Sequence, residues 1–254
     1  MAISPPQNTN LKTITVLDVP IHQIDMATAI VQIDGFIQSG KPHHIVTADA
    51  SMLVIAHEDA ELKRIVQSAD LVTPDGAGLI WASKRLKQPL SERVSGVALV
   101  EKLCSLSPEK GYRLFFFGAA PQVAEQAAER MNSKYPGALV VGARDGFFQP
   151  QDIPAIIEQI KSARPDVLCI ALGIPKQEKF IAQYKATLGV PVLIGVGGTF
   201  DVLSGNLKRA PVWMQRLSLE WLWRLLQNPS KINKVKLLPR FVQLVRKHHK
   251  YSNS

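Results

Sequence analysis

Short apolar runs rich in valine, isoleucine and phenylalanine recur along the chain, separated by longer stretches in which apolar residues return every three or four positions. Six of these runs are His44-Ile-Val-Thr47, Ala69-Asp-Leu-Val-Thr73, Tyr112-Arg-Leu-Phe-Phe-Phe117, Ala138-Leu-Val-Val141, Asp166-Val-Leu-Cys-Ile-Ala171 and Val190-Pro-Val-Leu-Ile194. Their length and their β-branched or aromatic content predict strands. The stretches between them predict helices; Val123–Met131 follows Pro121, which suits a first helical position. Strands alternating with helices predict an α/β fold with a Rossmann-like, mostly parallel six-stranded sheet and helices on both faces. Ahead of it, Ile14-Thr-Val-Leu-Asp-Val-Pro-Ile21 predicts a small β-hairpin. Beyond Gly205 the pattern changes to a helical stripe of Trp213, Leu217, Trp221 and Leu225. The chain thus divides into an α/β domain, 1–205, and a helical appendage, 206–254.

With 254 residues, 46% of them hydrophobic, the chain can bury one sizeable core. The two cysteines, Cys104 and Cys169, lack CxxC or Cys/His spacing and predict reduced core residues of a cytoplasmic protein. No apolar run approaches the roughly 20 residues that span a bilayer, and the polar start MAISPPQNTNLK does not read as a signal peptide. Charge is distributed unevenly. The net charge is +9, yet residues 206–254 hold eleven Lys/Arg against the single acid Glu220, whereas residues 1–205 hold nineteen basic and twenty acidic side chains. All the excess lies in the appendage, which points to an anionic partner.

In open α/β sheets a ligand binds beyond the carboxyl ends of the strands. The six predicted exits are Thr47-Ala-Asp49, Thr73-Pro-Asp-Gly76, Gly118-Ala-Ala-Pro121, Gly142–Phe147, Gly173-Ile-Pro-Lys-Gln177 and Gly195-Val-Gly-Gly-Thr-Phe-Asp201. Each carries glycine, a carboxylate or an amide. Glycine lets backbone N–H groups approach a ligand, although any single turn of this kind also serves as a plain turn or cap. Asp75, between Pro74 and Gly76, suits a general base that accepts a hydroxyl proton; its other reading is a helix cap. Gly195, Gly197, Thr199 and Asp201 begin like a dinucleotide fingerprint but lack its third glycine and the later acid, which disfavours NAD and leaves nucleotide phosphate or ribose binding. The six histidines show no spacing suited to a metal. A departing diphosphate would be met by arginine, lysine, Gln177 and helix N-termini, with Arg93 a candidate member. In the appendage the tryptophan stripe precedes Lys231, Lys234, Lys236, Arg240, Arg246, Lys247 and Lys250, a mixture suited to an interfacial membrane helix rather than to nucleic acid.

Seven ordered motifs, Thr47-x-Asp49, Pro74-Asp-Gly-x-Gly78, Arg93-Val-Ser-Gly96, Gly173-x-Pro-Lys-Gln-Glu178, Gly195-Val-Gly-Gly-x-Phe-Asp201, Lys208-Arg-Ala-Pro211 and Leu219-Glu-Trp-Leu-x-Arg224, together resemble the WecG/TagA/CpsF family of bacterial glycosyltransferases. The resemblance runs from about Ile14 to Arg240. It implies transfer of an N-acetylmannosamine-type sugar from a UDP donor to a polyprenyl-diphosphate-linked acceptor, with inversion and with neither metal nor other cofactor. It further implies peripheral attachment to the cytoplasmic membrane face through the basic appendage, in teichoic acid or other surface polysaccharide synthesis. By the same resemblance Asp75 is the general base, Thr47, Arg93 and Gln177 are polar active-site residues, and Asp201 lies near the nucleotide. Arg224 is an appendage arginine that steadies the diphosphate. Gly118, Gly195, Gly197, Thr199, Lys208 and Arg209 complete the expected substrate contacts.

The chain departs from the family pattern at two places. Asp49 stands where asparagine is usual, adding a negative charge near a sugar or acceptor pocket. Phe147 stands where tyrosine is frequent, keeping a stacking face for uracil but losing a hydroxyl. A membrane-docked nucleotide-sugar-binding protein without turnover is the alternative reading, and the sequence leaves homo-oligomerisation open.

Overall fold

The computed structural model describes residues 11–208, 210–211, 213–214, 220–227 and 235–251. An antiparallel hairpin comes first, β1 (Thr13–Val16) and β2 (Val19–His22). Its two-residue turn places Leu17 and Asp18 at φ 50 and φ 64, the left-handed pair that a tight hairpin with right-handed strand twist requires. The main sheet comprises β3 (His43–Ala48), β4 (Leu71–Pro74), β5 (Arg113–Gly118), β6 (Leu139–Arg144), β7 (Val167–Ala171) and β8 (Val192–Gly195). All six strands are parallel, in the order β4-β3-β8-β7-β5-β6. Every predicted run forms a strand, with β6 continuing through Gly142 to Arg144.

Period-two alternation divides the apolar side chains of these strands between two helical layers. Ile45, Leu71, Leu114, Phe116, Cys169 and Ile194 face one layer. It is built from α1 (Met26–Ser39), α5 (Gly96–Lys110), α6 (Val123–Lys134) and α9 (Thr199–Leu203). Val46, Val72, Phe115, Phe117, Leu168 and Leu193 face the other. That layer holds α2 (Ala50–Glu58), α3 (Ala60–Gln67), α4 (Ala77–Arg85), α7 (Ile153–Ala163) and α8 (Lys176–Leu188). Both cysteines are buried thiols, and burial pushes Cys104 up to about 12. Pro121 does not start α6; Gln122, at φ 69, intervenes as its N-cap.

On each edge strand one backbone position is engaged by a side chain, a feature that disfavours edge-to-edge pairing there. On β4 the Val72 N–H donates to His22 Nδ1 at 3.0 Å. On β6 the Asn132 amide both accepts from Val140 N–H at 3.1 Å and donates to Val140 O at 3.3 Å.

The appendage contributes α10 (Glu220–Gln227) and α11 (Leu237–Tyr251). Phe241, Leu244 and Val245 of α11 are buried in the same cluster as Met52, Leu53 and Leu79 of α2 and α4, so α11 is packed into the α/β body. α10 is tied to residue 208: Gln227 Oε1 accepts from Lys208 N–H at 2.7 Å, while Trp223 Nε1 and Gln227 Nε2 donate to Lys208 O at 2.9 and 2.8 Å. Among the described residues no helix is long and apolar enough to cross a membrane.

Candidate active site

The first and last strands of the sheet, β3 and β8, are neighbours, yet the helices that follow them, α2 and α9, leave to opposite faces. Such divergence opens a crevice at the carboxyl edge. Thr47 bridges it, donating from Oγ1 to Gly195 O at 2.7 Å. Gly96, the first residue of α5, packs against this bridge; a Cβ there would stand 3.3 Å from Thr199 Oγ1 and 3.4 Å from Thr47 Oγ1.

Asp75 follows β4, the next strand outward. Its partner is brought to it by the loop before α5, which is pinned to β4 twice: Val94 N–H donates to Pro74 O at 2.9 Å, and Thr73 Oγ1 donates to Val94 O at 3.1 Å. Arg93 consequently faces Asp75, with Nη2 at 3.3 Å and Nε at 3.4 Å from Oδ1. The other oxygen, Oδ2, accepts from Gly96 N–H at 3.1 Å. A guanidinium and a helix N-terminus thus both donate to the carboxylate. α4, which starts immediately after, has Gly76 as its N-cap and no side-chain cap. Asp75 therefore caps no helix of its own; it reaches across to α5, and with 24% of its side chain exposed it stays accessible to a ligand.

Asp49 ends β3 as the N-cap of α2, accepting at Oδ1 from Met52 N–H (2.8 Å) and Ser51 Oγ (2.6 Å). Gln177 lies inside the wall of the crevice, 1% exposed. Its Oε1 accepts from Gly173 N–H at 3.2 Å and from Gly197 N–H at 3.0 Å, while Nε2 donates to the fully buried Glu178 at 2.7 Å. Gln177 is thus a brace between the loops after β7 and β8, and it occupies two of the backbone donors that the glycine pattern offers to a ligand. Gly195 is glycine because of that brace: a Cβ would stand 2.7 Å from Gln177 Nε2 and 3.0 Å from Glu178 Oε1. Gly118 has a similar reason, since its Cβ would lie 2.6 Å from the Ala171 backbone. Thr199 is buried and donates to Val196 O at 2.7 Å.

Phe147, 72% exposed, stands apart from Asp75. It lines a cavity of about 890 Å³ with Phe148, Lys176, Phe180 and Tyr184, beyond the ends of β5 and β7. Neither Asp75 nor Arg93 lines this cavity. β4 and β7 are three strand spacings apart, roughly 14 Å. Asp201 sits in the first turn of α9, the helix that follows the loop Gln177 braces. Lys208 is exposed, and its main chain is engaged by α10. Arg224 lies on α10, its side chain outside the described residues, and Arg209 lies outside them altogether. Among the described residues no group of three or more His, Cys, Asp or Glu side chains is placed to hold a metal ion.

Sequence reasoning assigned no role to Gly96 N–H or to Glu178. A visible signal for Glu178 was available in Gly195, a strand glycine whose backbone needs no positive φ and which therefore marks a close approach.

A Bacillus spizizenii protein named N-acetylglucosaminyldiphosphoundecaprenol N-acetyl-beta-D-mannosaminyltransferase is 34% identical over 241 residues, covering 92% of each chain. A Bacillus subtilis protein of the same name is 35% identical over 206 residues, 81% of this chain and 80% of the relative. The description of the glycosyl transferase WecG/TagA/CpsF family matches residues 14–254, and the chain belongs to that family.

Proposed function

We propose that this protein transfers an N-acetylmannosaminyl group from a UDP donor to N-acetylglucosamine on a polyprenyl diphosphate, with inversion and without a metal, in cell-wall teichoic acid or other surface polysaccharide synthesis. The observation that carries the proposal is the partly exposed Asp75 carboxylate at the sheet edge, held by Arg93 and Gly96 N–H, in a chain 34% identical to a protein named N-acetylglucosaminyldiphosphoundecaprenol N-acetyl-beta-D-mannosaminyltransferase. Asp75 takes the proton of the acceptor hydroxyl as its oxygen bonds to the anomeric carbon, and the bond from that carbon to the UDP oxygen breaks on the opposite face. Arg93 steers the carboxylate through its contacts with Oδ1.

The donor lies along the carboxyl edge, its base against Phe147 and its sugar at Thr47 and Asp75. Three strand spacings match an extended sugar nucleotide. Because Gln177 occupies Gly173 N–H and Gly197 N–H, the departing diphosphate is met by cations, with Arg224, Lys208 and Arg209 of the appendage as candidates. The basic appendage keeps the enzyme at the inner membrane face, where its lipid-linked acceptor resides.

The test is UDP release from purified protein given UDP-N-acetylmannosamine and a lipid-diphosphate N-acetylglucosamine analogue, with EDTA present. Release requiring both substrates, with product of inverted anomeric configuration, is expected. Tight UDP-sugar binding with no release under any donor would overturn the proposal in favour of a binding protein without turnover.

A further inference from the structure

We infer that Asp49 selects the donor sugar: standing beside Asp75, its carboxylate excludes a sugar that itself carries a carboxylate. This inference rests on the transfer reading above. Ala48 and Pro74 are the last register pair of β3 and β4, and Asp75 N–H closes on Ala48 O at 2.7 Å. Asp49 and Asp75 therefore leave the sheet edge side by side, about one strand spacing, roughly 5 Å, apart. A Cβ on Gly76 would stand 3.9 Å from Asp49 Cβ, so nothing bulky separates Asp49 from the Asp75 turn.

Folding uses only half of the Asp49 carboxylate. Oδ1 caps α2, whereas among the described residues no donor reaches Oδ2. The cap itself needs no charge, because asparagine caps a helix as well as aspartate does. The negative charge at this position is thus surplus to the fold and sits where the sugar must approach Asp75. Facing the pair are Arg93, bonded to Asp75, and the N-termini of α2 and α5, which already hold the two carboxylates. A neutral sugar offers Oδ2 a hydroxyl or amide N–H. A sugar carboxylate offers only a third anion, and one such contact near a protein surface is worth roughly tenfold to hundredfold.

The experiment compares kcat/KM for UDP-N-acetylmannosamine and for its 6-carboxylate, UDP-N-acetylmannosaminuronate. Wild type should favour the neutral donor by at least about tenfold, and the preference should shrink as salt screens the contact. Asp49→Asn should raise the uronate-to-neutral ratio by about tenfold or more, with its melting temperature reporting that the cap survives. A purely structural Asp49 would lower both donors together and leave the ratio unchanged. Equal use of both donors by wild type, a wild-type preference indifferent to salt, or an unaltered ratio in folded Asp49→Asn would each overturn the inference. The wild-type arms decide it even where the variant does not fold. UDP release from neither donor would overturn the transfer reading itself, and this inference with it.

Discussion

Arg93 Nη2 stands 3.3 Å from Asp75 Oδ1, across a gap of eighteen residues, because Val94 is pinned to β4 through both its N–H and its carbonyl. These contacts fix the orientation of the Asp75 carboxylate. Asp75→Asn keeps the shape and an acceptor for Gly96 N–H but cannot serve as base. Its kcat should fall about a hundredfold to ten-thousandfold, with UDP affinity retained in calorimetry. Loss of UDP binding in step with kcat would assign Asp75 to holding the donor instead.

Arg93→Gln tests the other half of the pair. If Arg93 acts chiefly by orienting Asp75, the double variant Asp75→Asn/Arg93→Gln should be little slower than Asp75→Asn alone, since groups acting as one unit are non-additive. Multiplicative losses would mean that Arg93 contacts the substrate independently.

Gln177→Leu should destabilise the protein by roughly 1–3 kcal/mol for each backbone donor left without its acceptor. Gly173 N–H and Gly197 N–H are those donors, so the loops after β7 and β8 should loosen and the donor KM should rise. Gly195→Ala attacks the same brace from the opposite side, pushing a methyl to 2.7 Å from Gln177 Nε2, at about 1–3 kcal/mol of overpacking. Thermal melts and donor titrations of the two variants should report the same defect.

Five of the six sheet strands were legible because each is a largely apolar run buried on both faces, and Phe115–Phe117 and Val167–Ala171 leave no helical alternative; the edge strand β6, which buries only Val140, was legible from its β-branched run alone. The line of strand exits was legible for the same reason. Two things were not. Gln177 reads as a polar crevice residue, yet its amide turns inward; sequence shows that a glutamine follows a glycine turn, not which backbone donors it will meet. Arg240, Arg246, Lys247 and Lys250 of α11 read, together with the tryptophan stripe before them, as an interfacial membrane helix, because a basic amphipathic helix looks alike whether α2 or lipid covers its apolar face. Only the fold shows Phe241, Leu244 and Val245 already covered.

Acid should destabilise the fold through histidines held neutral. Burial, reinforced by Lys185 and opposed by Asp70, lowers His44 from 6.5 to about 4, and burial also lowers His22, whose Nδ1 accepts from Val72 N–H. The unfolded chain binds these protons first. The contribution of His44 is therefore complete above pH 6.5 and is lost as pH falls toward about 4, on the order of 3 kcal/mol. His44→Leu should flatten urea-unfolding stability across that window. An unchanged pH slope would show that other groups carry the acid sensitivity.

The arrangement of α11 changes how the membrane role must be tested. Removing everything after Gly205 would strip Phe241 from α2, and Phe241→Ala alone should cost roughly 3–5 kcal/mol, so a truncated protein that misses vesicles proves only that it is damaged. The apolar side of α11 is spent on the body, so the proposed lipid contact falls to its exposed basic side and to the exposed Trp213 and Leu226. Arg246→Glu/Lys247→Glu alters two exposed charges and no packing. At about 1 kcal/mol per basic residue, it should weaken binding to phosphatidylserine or phosphatidylglycerol vesicles roughly thirtyfold or more. Melting temperature and turnover of a water-soluble acceptor should hold. Vesicle affinity that survives this reversal in a folded protein would move the contact away from α11 and onto the Trp213 and α10 segment.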